Sequence, residues 1–149
     1  MATVTRRNLG ANLAAFDYAY NKLFRFNNST IVGEYTNGTG DEVTLSLGTL
    51  MGRNNTSGKF EIFDSTVATS YNGSVGILAE EWVVADGETV TISLVNAGDV
   101  RRSGIVLEGN SGADTLDTVV DGNTIEDIII IRSKGMRLVD VTENTKADN

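Results

Sequence analysis

The sequence holds no histidine and no cysteine, so any chemistry it performs rests on carboxylates, lysines and arginines. Without imidazole or thiol there is no Ser-His or Cys-His nucleophile. There is no histidine or thiolate metal ligand and no imidazole proton shuttle near neutral pH. Carboxylate and lysine chemistry stay open. Glu80, Glu81 and Asp86 offer paired acids of the kind used in glycoside hydrolysis. Neighbours on a strand point to opposite faces, however, so Glu80 and Glu81 share one cleft only across a bulge. Turn and edge charges are the simpler reading. Asp114, Asp117 and Asp121 are oxygen donors suited to a divalent cation. Their spacing is not that of an EF-hand, and the bidentate Glu is missing from its place. A solvated acidic loop is preferred. Gly109-Asn-Ser-Gly112 lacks the Lys-Ser/Thr of a P-loop, the GxGxxG spacing and a helix pattern following at once, and reads as a plain loop. Arg101 and Arg102 can bind an anion or pair across a subunit contact. The expectation is a small β-rich binding or structural protein, with no catalytic residue, metal or cofactor.

Charge and length say which partners to expect. The net charge is −8, yet Arg6, Arg7, Lys22 and Arg25 against Asp17 leave residues 1–30 at +3, so the remainder carries −11. An acidic body repels a phosphate backbone, so nucleic acid is not an expected partner. A basic arm on an acidic body suits an acidic protein surface. The 149 residues fit one domain plus a tail, and a domain of this size buries roughly 70% of its unfolded surface without staples. No stretch reaches the ~18–20 apolar residues of a membrane span, and no signal-peptide core is evident. Neither a membrane nor a small-molecule substrate is expected, and the chain reads as assembled in a cytoplasm.

The elements divide at about residue 30. Leu9, Leu13, Phe16, Tyr20 and Leu23 recur at steps of three and four, which predicts a helix from about Asn8 to Phe24 or else an extended arm. Phe16, Tyr18, Tyr20, Phe24 and Phe26 cluster there, either to pack on the chain's own domain or to cover a neighbouring subunit, and Arg6, Arg7, Phe16, Tyr20 and Phe24 are the expected partner-binding residues. Residues 31–149 read as the β-rich domain. Glu42–Leu47 and Glu88–Leu94 alternate, Lys59–Phe63 is a short strand, and Ser74–Ala79 and Glu81–Val84 are apolar runs fit for buried strands. Asn37–Gly40, Asn72-Gly73 and Ala85–Gly87 mark turns. Val100–Leu107 is expected as one more strand. Ile77, Leu78, Val83, Val90, Ile92 and Leu94 are the expected core. Thr124 and Asp127 make a variant capping box, with Arg132 and Lys134 in the last turn and Gly135 as C-terminal cap. They predict a helix over residues 124–134, although Ile128–Ile131 alone favours a strand. Met136–Thr142 returns as a strand. The fold class expected is mainly β: a compact antiparallel sandwich or barrel-like domain with one helix in its C-terminal half and an N-terminal arm.

One order of features goes further. Ser65-Thr66 leads through Asn72-Gly73 to Ser74-Val-Gly-Ile-Leu-Ala79, then an alternating strand after Asp86-Gly87, then Asn96-Ala-Gly-Asp-Val100. The capped helix, Arg137–Val141 and Thr142–Lys146 follow. This order resembles the head decoration proteins of tailed bacteriophages over residues 50–146, in which a "VGILA" strand precedes a hairpin strand and a Gly-containing turn. The long N-terminal segment departs from the short members. The resemblance implies a virion protein that binds the outside of the expanded capsid and cements it. Its implied partner is the major capsid protein, and its implied state a homotrimer at local three-fold positions. Two other readings stay open: another virion part such as a tail, fibre or receptor-binding domain, and a carboxylate-based hydrolase.

Overall fold

The computed structural model describes residues 23–71 and 73–140. The strands are β1 (Phe24–Thr36), β2 (Val43–Leu45), β3 (Leu50–Arg53), β4 (Phe60–Ile62), β5 (Val75–Leu78), β6 (Trp82–Val84), β7 (Thr89–Arg101), β8 (Val119–Val120), β9 (Asn123–Thr124) and β10 (Met136–Val139). The α-helix α1 (Ile125–Arg132) precedes β10. The domain is mainly β, as its alternating runs predict. The main sheet runs β1-β7-β5-β3-β4, antiparallel at each step, and β10 adds in parallel to β7. β2 pairs with β6, and β8 with β9.

β7 is the spine. Its first half alternates, with Val90, Ile92 and Leu94 buried and Thr89 and Thr91 exposed, the pattern of a strand with one face in the core. From Leu94 to Asn96 three successive residues are buried, because here the sheet is covered on both sides. One face carries Leu50, Val75, Ile77 and Val95 against Ile125, Ile128 and Ile129 of α1. The other carries Met51, Leu78, Ile92 and Leu94 against Tyr35, Phe60, Leu45 and Val84. Two-sided burial is why Val75–Leu78 is apolar throughout and does not alternate.

Several expectations are corrected. The strand expected over Val100–Leu107 is the end of β7, which passes through Asn96–Asp99 without turning. Gly98 sits at φ +103°, and β1 and β10 flank it on either side. The backbone bends there as in a bulge but stays paired. The chain then leaves the sheet in a 3-10 turn, Arg102–Gly104, and Val106 only bridges Thr49. Val83 is half-exposed while Val84 is fully buried, since alternate residues of β6 face opposite sides. The other five expected core residues are buried.

The isoleucine run is helical because its first turn is capped. The Asp127 N–H donates to Thr124 Oγ1 (3.1 Å), and the Thr124 N–H donates to Asp127 Oδ2 (3.2 Å). The helix stops at Ser133, not at Gly135. The Ser133 N–H closes onto Ile129 O, and Ser133 Oγ accepts the Met136 N–H at 3.0 Å, which turns the chain into β10. Arg132 is drawn off to the Tyr71 carbonyl (2.6 Å), tying the helix end to the 3-10 segment Ser65–Tyr71 between β4 and β5. Thr124→Ala should cost about 1 kcal/mol in urea denaturation, and a loss below about 0.3 kcal/mol would show that the box contributes nothing.

Candidate functional site

The acidic residues serve separate structural ends. Glu80 is buried and accepts the Trp82 indole N–H at 3.1 Å. Asp86 sits in the turn before β7 and accepts the Gly40 N–H at 2.9 Å. Asp114 is buried and holds Ser65 by its N–H (3.0 Å) and hydroxyl (2.6 Å). Asp117 pairs with Arg102 at 3.2 Å, and Arg102 also reaches Glu126 on α1 at 2.5 Å. Asp121 lies in the β8–β9 turn at φ +48°. Among the described residues, no group of three or more potential metal ligands converges. The Arg102 end of the arginine pair is thus engaged within its own chain. Gly109 packs on the Phe63–Asp64 backbone, where a Cβ would overlap the Phe63 carbonyl. Close packing, not phosphate binding, accounts for that glycine.

Acids that the sequence left unremarked also feel the fold. Burial pushes the Glu108 carboxyl up. Burial first, then the carboxylates of Glu61 and Asp64, push the Tyr71 phenol up to about 12, so it stays neutral at physiological pH.

Of the expected partner-binding residues, Arg6, Arg7, Phe16 and Tyr20 lie outside the described residues, as does nearly all of the helix expected over Asn8–Phe24. Phe24 is the correction. It is 2% exposed and belongs to the core on the helix side of the sheet, as does Leu23. Leu23 fills a slot left by two glycines: a Cβ on Gly48 would lie 3.2 Å from it, and one on Gly104 only 2.5 Å. Phe24 therefore anchors the chain to its own body and is not free for a partner. β1 continues without a break past residue 30, so the body begins no later than Leu23.

Among the described residues, one surface feature that could hold a ligand lies where the main sheet ends. β1 and β4 are its two margins, and they approach without pairing. The Asn37 N–H bonds Glu88 O at 3.0 Å, which fixes the parity of the β1–β7 ladder. On that parity the main-chain groups of Val32 and Glu34 point away from β7. The Asn54–Lys59 and Phe63–Leu50 bonds fix β4 likewise and turn the groups of Phe60 and Ile62 away from β3. Among the described residues no main-chain bond crosses from β1 to β4. Lys59 Nζ to Thr36 Oγ1 (2.7 Å) is a side-chain tie between the margins. Gly33 lets the Phe60 ring lie on β1, since a Cβ there would overlap the ring.

Outside this seam is a cleft of about 240 Å³. Ile31, Val32 and Gly33 form one wall; Arg53, Gly58 and Phe60 form the other. Ser74, Asn96 and Lys134 complete it. Val32 is 66% exposed at the lip. Asn96 is 2% exposed, and its Oδ1 has no hydrogen-bond partner. An unpaired buried amide of this kind costs about 1–3 kcal/mol. The Lys134 N–H donates to Asn96 O at 2.8 Å, which fixes Lys134 at the rim. Arg53 Nε donates to Gly58 O at 2.9 Å. No carboxylate lines the cleft. In sequence Asn96 looks like a turn residue and Lys134 like a helix-end cation, so neither carries a local signal of this site. No protein-family model and no curated protein matches the sequence.

Proposed function

We propose that the chain is a head decoration protein of a tailed bacteriophage, binding the outside of the expanded capsid and cementing it through contacts to the major capsid protein. The observation that carries this reading is the order of features over residues 50–146. An apolar Val-Gly-Ile-Leu strand is followed by the long alternating strand, then the capped helix, then a closing strand. The charge division supports it, with residues 1–22 at +2 joined to a body at −10. Within the resemblance, Asn96–Val100 departs from a turn and is bulged strand, which leaves the match resting on the strands and helix. Residues 1–22 are the attachment arm in this proposal. Arg6 and Arg7 steer it, and Phe16 and Tyr20 supply apolar burial worth about 25 cal/mol per Å². The homotrimer belongs to the same proposal.

The test is co-sedimentation with expanded capsids, with light scattering for subunit number. Full-length protein should bind. A chain starting at Lys22, which keeps Leu23 and Phe24 in the core, should unfold at the same temperature but fail to sediment. Failure of the full-length protein to bind would overturn the decoration reading. Full binding by the shortened chain would move the contact from the arm to the body.

A further inference from the structure

We propose that the cleft between β1 and β4 is a receptor for a carboxylate side chain carried on an extended segment of a partner protein. The body is strongly acidic, so a surface depression with cations and no acid is a local exception to its field. Arg53 and Lys134 line the cleft together with Asn96, and among the described residues neither forms an ion pair. Asn96 is the second and independent observation. It is almost wholly buried, lines the cleft, and has an amide oxygen that nothing in the fold satisfies.

These groups divide a ligand between them. A carboxylate takes charge-assisted bonds from Arg53 and Lys134. Rotation of the Asn96 amide toward the cleft lets a main-chain N–H beside the carboxylate satisfy Oδ1, which is shut off from the surface in the free protein. An extended segment presents both groups within one residue, whereas a free carboxylate offers only the first. Val32, exposed at the lip, gives the segment's neighbouring side chain an apolar seat. The outward main-chain groups of Val32 and Glu34 add donors and acceptors for the same segment, as in strand addition at a sheet margin. The proposal rests on the decoration reading only for the source of the segment, a capsid protein; the recognition chemistry stands apart from it.

The experiment is titration of the isotope-labelled full chain, followed by amide chemical shifts. The probes are acetyl-Val-Glu-Val-amide, its Gln isostere, and acetate. The Glu peptide should give saturable shifts at the Asn96 side-chain amide and at Lys134. The Gln peptide should bind about tenfold more weakly, the loss expected for one charge-assisted contact. Lys134→Glu and Arg53→Gln should each weaken the Glu peptide by a similar factor. Arg137→Gln, which removes an exposed pair with Asp99 outside the cleft, should leave it unchanged. Equal affinity for the Glu and Gln peptides, or no movement of Asn96, would overturn the proposal. Acetate binding as tightly as the Glu peptide would reduce the cleft to a bare anion site, and self-association abolished by Lys134→Glu would assign it to a second copy; either result also overturns it. Because the probes are peptides, peptide binding without capsid binding would sink the decoration reading alone. Capsid binding unaffected by Lys134→Glu and Arg53→Gln, with no peptide binding, would sink the cleft alone.

Discussion

Asn37→Ala is expected to destabilise the protein by on the order of 3 kcal/mol, although the residue sits in the loop between β1 and β2. Asn37 is fully buried. Its Nδ2 donates to Asp41 O at 2.7 Å and to Val84 O at 2.8 Å. Its Oδ1 accepts from the Thr39 N–H at 3.0 Å and the Thr39 hydroxyl at 2.8 Å. The backbone of the same residue bonds Glu88 O and the Gly87 N–H. One side chain thus fastens the 37–41 loop, the end of β6 and the turn before β7. Alanine removes all four side-chain bonds and leaves the buried Val84 carbonyl with one donor fewer. Each buried group left unsatisfied costs about 1–3 kcal/mol, against about 1 kcal/mol for an exposed bond. Urea unfolding of Asn37→Ala beside Thr89→Ala, which removes one exposed hydroxyl bond, checks this. A difference between them of less than about 1 kcal/mol would show that water replaces the lost bonds.

The second large effect is expected at Leu94, where truncation to alanine should cost about 2–5 kcal/mol. Leu94 has no exposed surface and is buried in one cluster with Met51, Leu78 and Ile92. The cost should fall near the top of that range, because the neighbourhood cannot close over the space. The backbone of Gly76 is already as near as it can come, since a Cβ there would lie 2.8 Å from Leu94 Cβ. Val32→Ala, by contrast, removes a side chain that is mostly in water. It should shift the unfolding midpoint hardly at all. Equal effects from the two substitutions would mean that the β7 register is wrong.

How far the sequence discloses this fold depends on whether the deciding interactions are local. Alternation from Thr89 to Leu94 and the Thr124–Asp127 box are contained within a few residues, and both elements are found where those patterns place them. Gly98 is different. A glycine with positive φ serves a turn or a bulge equally well. The choice is made by β10 and β1, which arrive from opposite ends of the chain. The partner of Asp114 was hidden for the same reason: Ser65 is 49 residues away. Asp114 thus looks like a solvated acid although it is buried. The cleft is the extreme case, since β1, the β3–β4 hairpin, Ser74, Asn96 and Lys134 share no sequence neighbourhood. Phe24 misled by composition. Its aromatic neighbours suggested an exposed cluster, but burial of Phe24 follows from β1, whose pairing partner is Val100.

The pairing of β1 with β7 also sets a timetable for synthesis. Thr36 and Thr89 face each other across 53 residues of chain, and the far end of the same ladder waits for Val100. β1 is among the first parts of the body to leave the ribosome, yet it has no mate until β7 follows. β7 in turn completes its parallel edge only when Met136–Val139 emerges. Long-range pairings of this kind make for slow closure, and a strand kept waiting presents unpaired groups to its neighbours on the polysome. The sequence has no proline, so no prolyl isomerisation lengthens that wait. The nascent body thus remains open along β1 until β7 has been made.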